Sequence, residues 1–442
     1  MTSSERPSTR RALIRGRVLS FRRRPSGAGD RDAIVYVDDG VVVVEDGQVV
    51  EIATTDDLPR LRAAGTAEFD FSGKLILPGF IDTHIHFPQT QVIASYGERL
   101  LEWLTKYTFP AEARYGDPEL AAAHARFFID ELIRNGTTTA VAYGSVHKVS
   151  AEALLAESER RGTQMFVGKT AMDRNAPDNL VDSAQSAHDD TLDLIRRWHR
   201  RGRQRVVITP RFAITSTPAQ LEALGSLATA HPGCLVQTHL SENLAEVEEV
   251  RRLFPERIDY LDVYDHYGLV GGNSLMGHAI HLTPHEVARM SEAGAVAVFC
   301  PTSNLFIGSG LFDYKGLEGG PHPVRIALAT DVGGGTSYSM LQTAAEGYKV
   351  MQLNHQRLSA LEAFYRMTLG NAEAISAAEI GRIAPGAMAD LVVLDSAATP
   401  AMAHRLAASS GDLEEELFIL MTLGGQHSVA EVFVAGRPQM GR

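Results

Sequence analysis

The stretch Lys74–His86, KLILPGFIDTHIH, separates two patterns in this chain of 442 residues. Before it, short β-branched runs such as Gly40–Glu45 alternate with turns, and Asp-Gly pairs stand at 39–40 and 46–47. Asp-Gly between apolar runs is a strong signal for a β-hairpin. We therefore expect short strands and tight turns over residues 1–77.

After Phe80 the pattern changes, and apolar strand-like runs alternate with helical stretches. Such alternation indicates a parallel α/β fold, most economically a TIM-like (β/α)8 barrel. The strands expected after the first one are Thr138–Ala142, Gln164–Val167, Arg205–Pro210, Cys234–His239, Ser274–His278, Val296–Cys300 and Ile326–Thr330.

Strand-like runs return near the end of the chain, at Ala389–Asp395 and Val429–Val434. They predict that both chain ends build one small β domain, of β-sandwich type, from residues 1–77 and 385–442. The barrel would then occupy residues 78–384. The first residues are rich in Arg and Ser and faintly resemble a transit peptide, but Ala12–Phe21 alternates as a strand does, and we prefer that interpretation.

Composition excludes several classes of partner. The chain has 42 Lys and Arg against 54 Asp and Glu, a formal charge of −12, which disfavours binding to nucleic acid or to anionic lipid. It has no uninterrupted apolar run of about 18 residues, so we expect no membrane span. Its two cysteines, Cys234 and Cys300, lie far apart, which argues against a thiolate zinc site and fits a reducing cytoplasm.

Two histidines end the stretch that opens the barrel. Residues i and i+2 of a strand point to the same side, so His84 and His86 can send two imidazoles into one site. Histidine is a common ligand of zinc, although this motif on its own more often reflects two solvated or core histidines. Asp82 shares their face, and we expect it to orient the site rather than to ligate.

Three further residues follow predicted strands, at the ends where TIM barrels build their sites: His239, His278 and Asp331. Glu242 lies three residues after His239, where a carboxylate could shuttle protons, or could simply favour the start of a helix. The glycines after Asp331 lack the spacing of a phosphate-binding loop. Imidazole and carboxylate donors without cysteine predict a catalytic divalent metal, zinc or iron, that activates water.

Longer motifs connect the chain with a known family. The segments PGFIDTHIH, HLSEN, GHAIHL and TDVGGGTS, at 78–86, 239–243, 277–282 and 330–337, resemble in their order the amidohydrolase superfamily. Further segments resemble its guanine-deaminating branch: HFPQ (86–89), SYGE (95–98), LEWL (101–104), YTFP (107–110), MDRNAP (172–177), TPRF (209–212) and CPTSNL (300–305).

This resemblance implies a role for each candidate residue. A single zinc ion, or iron in its place, would be held by His84, His86, His239 and Asp331. His278, with Asp331, would hold the water molecule, and Glu242 would shuttle protons. The purine would contact Gln89, Arg211, Phe212 and His239. An Arg donor suits the acceptor O6 of guanine, although a salt bridge near the barrel mouth would also explain Arg211.

The activity that the resemblance implies is deamination of guanine to xanthine and ammonia. Another aminated heterocycle (a pterin, a triazine or adenosine) remains the alternative substrate, and a barrel without catalysis remains the alternative class. Some relatives carry a carboxylated lysine between two metals, but the context of Lys169 resembles the mononuclear branch, so we expect it to be structural or near the substrate. The resemblance also implies a homodimer, and the two cysteines lead us to expect a cytoplasmic location.

Overall fold

The computed structural model describes residues 11–97 and 99–440, so Glu98 and the first ten residues, which entered the interpretations above, lie outside the described part. Two sheets organise this part of the chain. The strands, numbered β1 to β16 in chain order, are Arg11–Phe21, Ile34–Glu45, Gln48–Thr54, Ala67–Pro78, Phe80–His86, Thr137–Tyr143, Gln164–Gly168, Thr170–Ala171, Arg205–Pro210, Leu235–Leu240, Ser274–His278, Val296–Phe299, Arg325–Leu328, Leu391–Leu394, Val429–Val434 and Arg437–Pro438.

Most of the helices follow or alternate with strands β5 to β13 along the chain. In chain order, the α-helices α1 to α17 are Leu58–Leu61, Leu100–Trp103, Phe109–Ala113, Pro118–Arg134, Lys148–Arg161, Ala184–Trp198, Pro218–Ala230, Leu244–Leu253, Tyr260–His266, Pro284–Ala293, Pro301–Phe306, Tyr314–Gly319, Met340–Leu353, Ala360–Tyr365, Asn371–Ala374, Pro400–Ala407 and Leu413–Leu423. None of these described helices is both long enough and apolar enough to cross a membrane.

Local signals explain many of the helix boundaries. In α10, Thr283 and Glu286 form a capping box and Pro284 takes the first helical position. The helix ends where Gly294 adopts a left-handed conformation with φ of 69°, which glycine tolerates without a steric penalty. The local sequence therefore determines where this helix begins and ends.

The small sheet joins both ends of the chain, in the order β16-β15-β14-β4-β1-β2-β3. Strand β3, at one edge, also contacts the segment just before β14, where the amide of Val49 donates to the carbonyl of Ala387 at 2.8 Å. The apolar face of the sheet includes Val49 and Phe433, from near its opposite edges. We propose the same division of the chain as above, with residues 1–77 and 385–442 apart from 78–384.

One predicted turn is wrong. β2 runs straight through the Asp-Gly pair at 39–40, and only the pair at 46–47 makes the hairpin turn. The register with β1 pairs Val18 with Val37 and Gly16 with Gly40, so Asp38 and Asp39 together face Arg17. This pairing of two residues with one is a β-bulge. A bulge lets β2 stay paired with the strands on both sides, whereas a turn would end the strand.

The larger sheet is the predicted barrel. Eight parallel strands follow the order β5-β6-β7-β9-β10-β11-β12-β13, and β8 pairs only with β9. The two outer strands meet just beyond β13, where the amide of Asp331 donates to the carbonyl of His84 at 2.9 Å and that of His86 to Val332 at 2.6 Å. The barrel is thus nearly closed, and all its strands end on one face, where sites form in this fold.

Candidate metal centre and substrate pocket

The residues selected from the sequence converge on the carboxyl ends of the barrel strands. His84 and His86 belong to β5, His239 to β10, and His278 ends β11, while Asp331 follows β13. The remaining candidates stand on the loops that follow the strands: Gln89 after β5, Arg211 and Phe212 after β9, and Glu242 after β10. The tertiary structure therefore brings all nine candidates to one place.

Imidazole and carboxylate groups cluster tightly at the base of this site. The Nε2 atoms of His84 and His86 lie 3.4 Å and 3.2 Å from Oδ1 of Asp331. Nε2 of His239 lies 3.2 Å from Nε2 of His86. Ligand atoms of His84, His86 and His239 lie within 4.8 Å of one another, as do those of His84, His278 and Asp331. These distances suit donors that share one ion.

The polar atoms of the cluster fit a metal ion. Both ring nitrogens of His84 and Nδ1 of His86 are buried and have no hydrogen-bond partner among the described residues. Such groups cost free energy unless something binds them. Nitrogen and carboxylate donors without a thiolate suit zinc or iron at a catalytic site. His84, His86, His239 and Asp331 could therefore hold a divalent metal.

Burial sets the protonation states that such an ion needs. It lowers the pKa of His86 to about 4, the pKa of His84 below its usual value, and the pKa of His239 well below its usual value. Burial alone would raise the pKa of Asp331, but the adjacent imidazoles of His84 and His86 outweigh it and hold this pKa well below its usual range. Neutral imidazoles and an ionised carboxylate are the metal-binding forms.

Neighbouring groups fix the orientation of these side chains. Nδ1 of His278 lies 2.8 Å from Oδ1 of Asn304. Asp82 does not join the cluster; its carboxylate accepts from the hydroxyl and amide of Thr330 and from the amide of His84, so it orients the strand ends as expected. A Cβ on Gly277 would lie 2.6 Å from Cε1 of His84, so only glycine leaves room for that ring.

The backbone is strained where two of these side chains leave their strands. His278 has φ of 67° and Asp331 has φ of 52°, both in the left-handed region that few non-glycine residues adopt. Such conformations cost of the order of 1–3 kcal/mol each and concentrate at functional sites.

Glu242 stands beside this cluster rather than in a helix. It precedes Asn243, the residue that caps α8, and its own amide is held by the carboxylate of Glu246 at 2.8 Å. Its Oε2 lies 3.3 Å from Nε2 of His278, and its Oε1 accepts from the hydroxyl of Ser309 at 2.8 Å. Burial and the charge of Asp331 raise the pKa of Glu242 to about 8.

A pocket opens above the cluster. Its wall combines polar groups at the base with apolar and aromatic side chains above them. The lining residues are His86, Gln89, Leu100, Trp103, Leu104, Arg211, Phe212, His239, Glu242, His278, Ile307, Asp331 and Gly334.

Arg211 both lines this pocket and makes a buried salt bridge. Its Nη1 donates to the two carboxylate oxygens of Glu112 at 2.9 Å and 2.7 Å. The same carboxylate accepts from Nε2 of Gln89 at 2.9 Å. Arg211 therefore has both features considered from the sequence, a place in the pocket wall and a salt bridge.

Lys169 lies away from the metal cluster. Its ammonium group pairs with the carboxylate of Asp182 and donates to the carbonyl of Thr170 at 3.3 Å. The residue is only 1% exposed, and Asp182 also accepts from Gln220 at 2.7 Å. These contacts fit a structural residue.

Sequence reasoning missed several residues of the site. Glu112 gave no signal, because a single acidic residue in the short stretch Phe109–Ala113 does not show that it is buried. Asn304 and Trp103 stand inside motifs that had been noted, but without a role. Ser309 precedes a glycine in a loop and gave no signal of its own.

Comparison with known proteins agrees with this geometry. The model of the amidohydrolase family matches residues 75–438. Guanine deaminase of Escherichia coli is 44% identical over 92% of each chain, and its solved structure superposes with a TM-score of 0.93, at 41% identity, over 98% of this chain and 99% of that one. The chain belongs to the amidohydrolase family, and the resemblance seen in its motifs is confirmed.

Two further solved structures are informative about ligands. A guanine deaminase from C. acetobutylicum, with guanine bound in its active site, has a TM-score of 0.85 and 27% identity over 97% of this chain and 99% of that one. An adenosine deaminase from Xanthomonas campestris, with bound zinc, has a TM-score of 0.82 and 25% identity over 97% and 92%. The shared fold therefore accommodates both a base and a metal.

Proposed function

We propose that this protein is a metal-dependent hydrolase that converts guanine and water to xanthine and ammonia. The observation that carries the proposal is a buried guanidinium, that of Arg211, in the wall of a pocket whose base is the cluster of three histidines and Asp331. The relatives named guanine deaminase support the same substrate.

The proposed metal is one zinc ion per chain, held by His84, His86, His239 and Asp331. When bound, it would lower the pKa of a water molecule to about 7 and so supply hydroxide at neutral pH. The zinc in the related adenosine deaminase supports this choice over iron. The chain itself contributes neutral imidazoles, an ionised carboxylate and a strand geometry that presents them together.

Glu242 is the proposed proton shuttle. With its pKa raised to about 8 by burial and by the charge of Asp331, it is protonated near neutral pH and can give a proton to the ring nitrogen beside C2. His278 lies 3.3 Å from Glu242 and 3.7 Å from Asp331, between the shuttle and the metal ligand, where it can hold the attacking water. Glu242, now ionised, takes a proton from the attacking oxygen as that oxygen bonds to C2, and passes it to the 2-amino group, which leaves as ammonia.

Arg211 is the residue that we propose recognises the base. Of the three side-chain nitrogens of Arg211, only Nη1 makes hydrogen bonds within the described residues, both to Glu112, so Nη2 and Nε remain for a ligand. Arg recognises guanine through the adjacent acceptors O6 and N7, whereas adenine presents an amino donor at C6. Phe212 and Trp103 line the same pocket, and we propose that the base packs between such faces.

A panel of substrates tests the proposal directly. Protein that holds about one zinc per chain by elemental analysis should release ammonia from guanine far faster than from adenosine, a pterin or a triazine. Release from one of those compounds but not from guanine would replace the substrate. Absence of both metal and turnover would favour a non-catalytic barrel.

The assembly and the cellular location stay predictions that rest on resemblance and composition. We propose a cytoplasmic homodimer that binds neither nucleic acid nor membrane. Light scattering coupled to size-exclusion chromatography, at micromolar concentration, gives the mass that decides between monomer and dimer.

A further inference from the structure

Glu112 joins the two side chains that the proposed function places on the base. It lies in α3, between the first and second barrel strands, and it is fully buried at 0% exposure. Arg211 follows β9, 99 residues further along the chain, and Gln89 precedes Glu112 by 23 residues. One carboxylate thus links three separate segments at the wall of the pocket.

The charges of this group balance each other. A guanidinium in a buried position is costly unless a partner charge and further hydrogen bonds offset the loss of water. Within the described residues, Glu112 is the carboxylate that contacts Arg211, with two hydrogen bonds of 2.9 Å and 2.7 Å. Arg211 also packs over Phe109, with 5.6 Å from Cζ to the ring centre. Removing the charge of Glu112 would leave Arg211 buried without its counter-ion.

The same contacts determine which donors face the pocket. Since Nη1 of Arg211 is occupied by Glu112, the edge formed by Nη2 and Nε is the one without a partner in the described part of the chain. Gln89 is held at both ends of its amide, because Nε2 donates to Glu112 at 2.9 Å and Oε1 accepts from the amide of Gly333 at 3.2 Å. Neither side chain can turn without breaking a buried hydrogen bond, which costs more than an exposed one.

We propose that Glu112 is a positioning residue that sets the hydrogen-bond pattern of the pocket for a base with an acceptor at C6. The inference rests on the proposed function, since it concerns how the same site selects its substrate. Glu112 touches neither the metal cluster nor Glu242, so it acts through Arg211 and Gln89. Its contribution is selectivity and binding rather than the chemical step.

A matched pair of ligands isolates that contribution. Guanine and 2,6-diaminopurine carry the same 2-amino group, but guanine presents an acceptor at C6 where 2,6-diaminopurine presents a donor. Fixed donors from Arg211 should favour the first and reject the second. An Arg211 side chain that Glu112 no longer holds should discriminate less well between the two bases, because it can move away from the amino group at C6.

The first experiment compares E112Q with E119Q, which changes an exposed glutamate at the start of the next helix. For E112Q we expect the KM for guanine to rise about tenfold or more while kcat changes less, because a charge-assisted contact is lost but Glu242 and His278 are untouched. The ratio of the Ki of 2,6-diaminopurine to the KM of guanine should fall. E119Q should keep all three values, and both variants should keep their metal.

A double-mutant cycle separates positioning from general stability. If Glu112 acts through Arg211, adding E112Q to R211M should raise KM much less than E112Q alone does. Additive effects, or a KM and a Ki ratio in E112Q equal to those of E119Q, would overturn the proposal.

The two proposals fail in different ways. Wild-type protein that holds zinc but releases no ammonia from guanine would count against the proposed function. In that case, the coupling between Glu112 and Arg211 is measured from the free energies of unfolding of wild type, E112Q, R211M and the double variant. Absence of coupling there would overturn the role of Glu112 independently of the substrate.

Discussion

Nδ1 of His239 donates to the main-chain carbonyl of Arg211 at 2.7 Å. The bond fixes the tautomer of the imidazole, so that the lone pair of Nε2 faces the cluster of metal donors, as partners of metal-bound histidines commonly do. Arg211 therefore serves both halves of the site: its backbone orients a metal-facing histidine, and its side chain lines the pocket. These two contributions can be separated by experiment, since a substitution changes only the side chain.

R211M should retain the metal but bind guanine poorly. The backbone carbonyl that orients His239 survives, whereas a hydrogen bond from a charged donor is lost, and we expect KM to rise about 10- to 100-fold. Elemental analysis and steady-state kinetics measure the two effects. A large loss of metal in R211M would show that the side chain also supports the cluster.

E242Q should keep metal and fold but lose turnover by about two orders of magnitude or more, because Gln cannot carry the proton. E248Q, which changes an exposed residue of the helix α8, serves as the control and should match wild type. Turnover is followed as ammonia release from guanine. Near-normal activity in E242Q would remove Glu242 from the proposed role.

G277A should disturb the metal centre by displacing the ring of His84. The new Cβ would lie 2.6 Å from Cε1 of His84, so the ring must shift, and overpacking of this kind costs about 1–3 kcal/mol. The control is G272A, whose Cβ would have its nearest neighbour at 3.7 Å, the carbonyl oxygen of Ala293. The free energy of unfolding in urea and the metal content should both fall in G277A, and neither should fall in G272A. An unchanged metal content in G277A would mean that His84 is not a ligand.

K169M should destabilise the protein without removing its metal. It leaves the carboxylate of Asp182 buried without its counter-ion, which costs about 3–5 kcal/mol. Burial already raises the pKa of Asp182 against the opposing effect of Lys169, and without Lys169 this pKa rises further. A folded-state pKa above the unfolded value means that the folded protein binds the proton more readily, so the deficit should shrink as pH falls.

Unfolding of K169M in urea between pH 5 and pH 8 measures that dependence. The double variant K169M/D182N should recover part of the lost stability, because it removes the unpaired charge. A deficit that does not change with pH, or a loss of metal in K169M, would contradict the structural role of Lys169.

Much of the fold, and the residues of the candidate metal centre, could be predicted from the sequence alone. The strand–helix alternation after Phe80 predicted the barrel, and the period of two in β5 placed His84 and His86 on one side. His239, His278 and Asp331 could be added because parallel strands bring their carboxyl ends to one face, whatever their separation along the chain. Such features depend on local periodicity and on a simple topological rule, which is why sequence reveals them.

Other features were decided only by the tertiary structure. The Asp-Gly pair at 39–40 has the local signal of a turn, yet pairing of β2 with strands on both sides makes it a bulge. Glu112 has no local signal, because its environment is created by Arg211, 99 residues away, and by complete burial. Periodicity reports which face of an element is buried, but a polar contact between distant segments depends on how those elements pack. The sequence therefore determined which residues are candidate metal donors, and packing decided how the pocket above them is arranged.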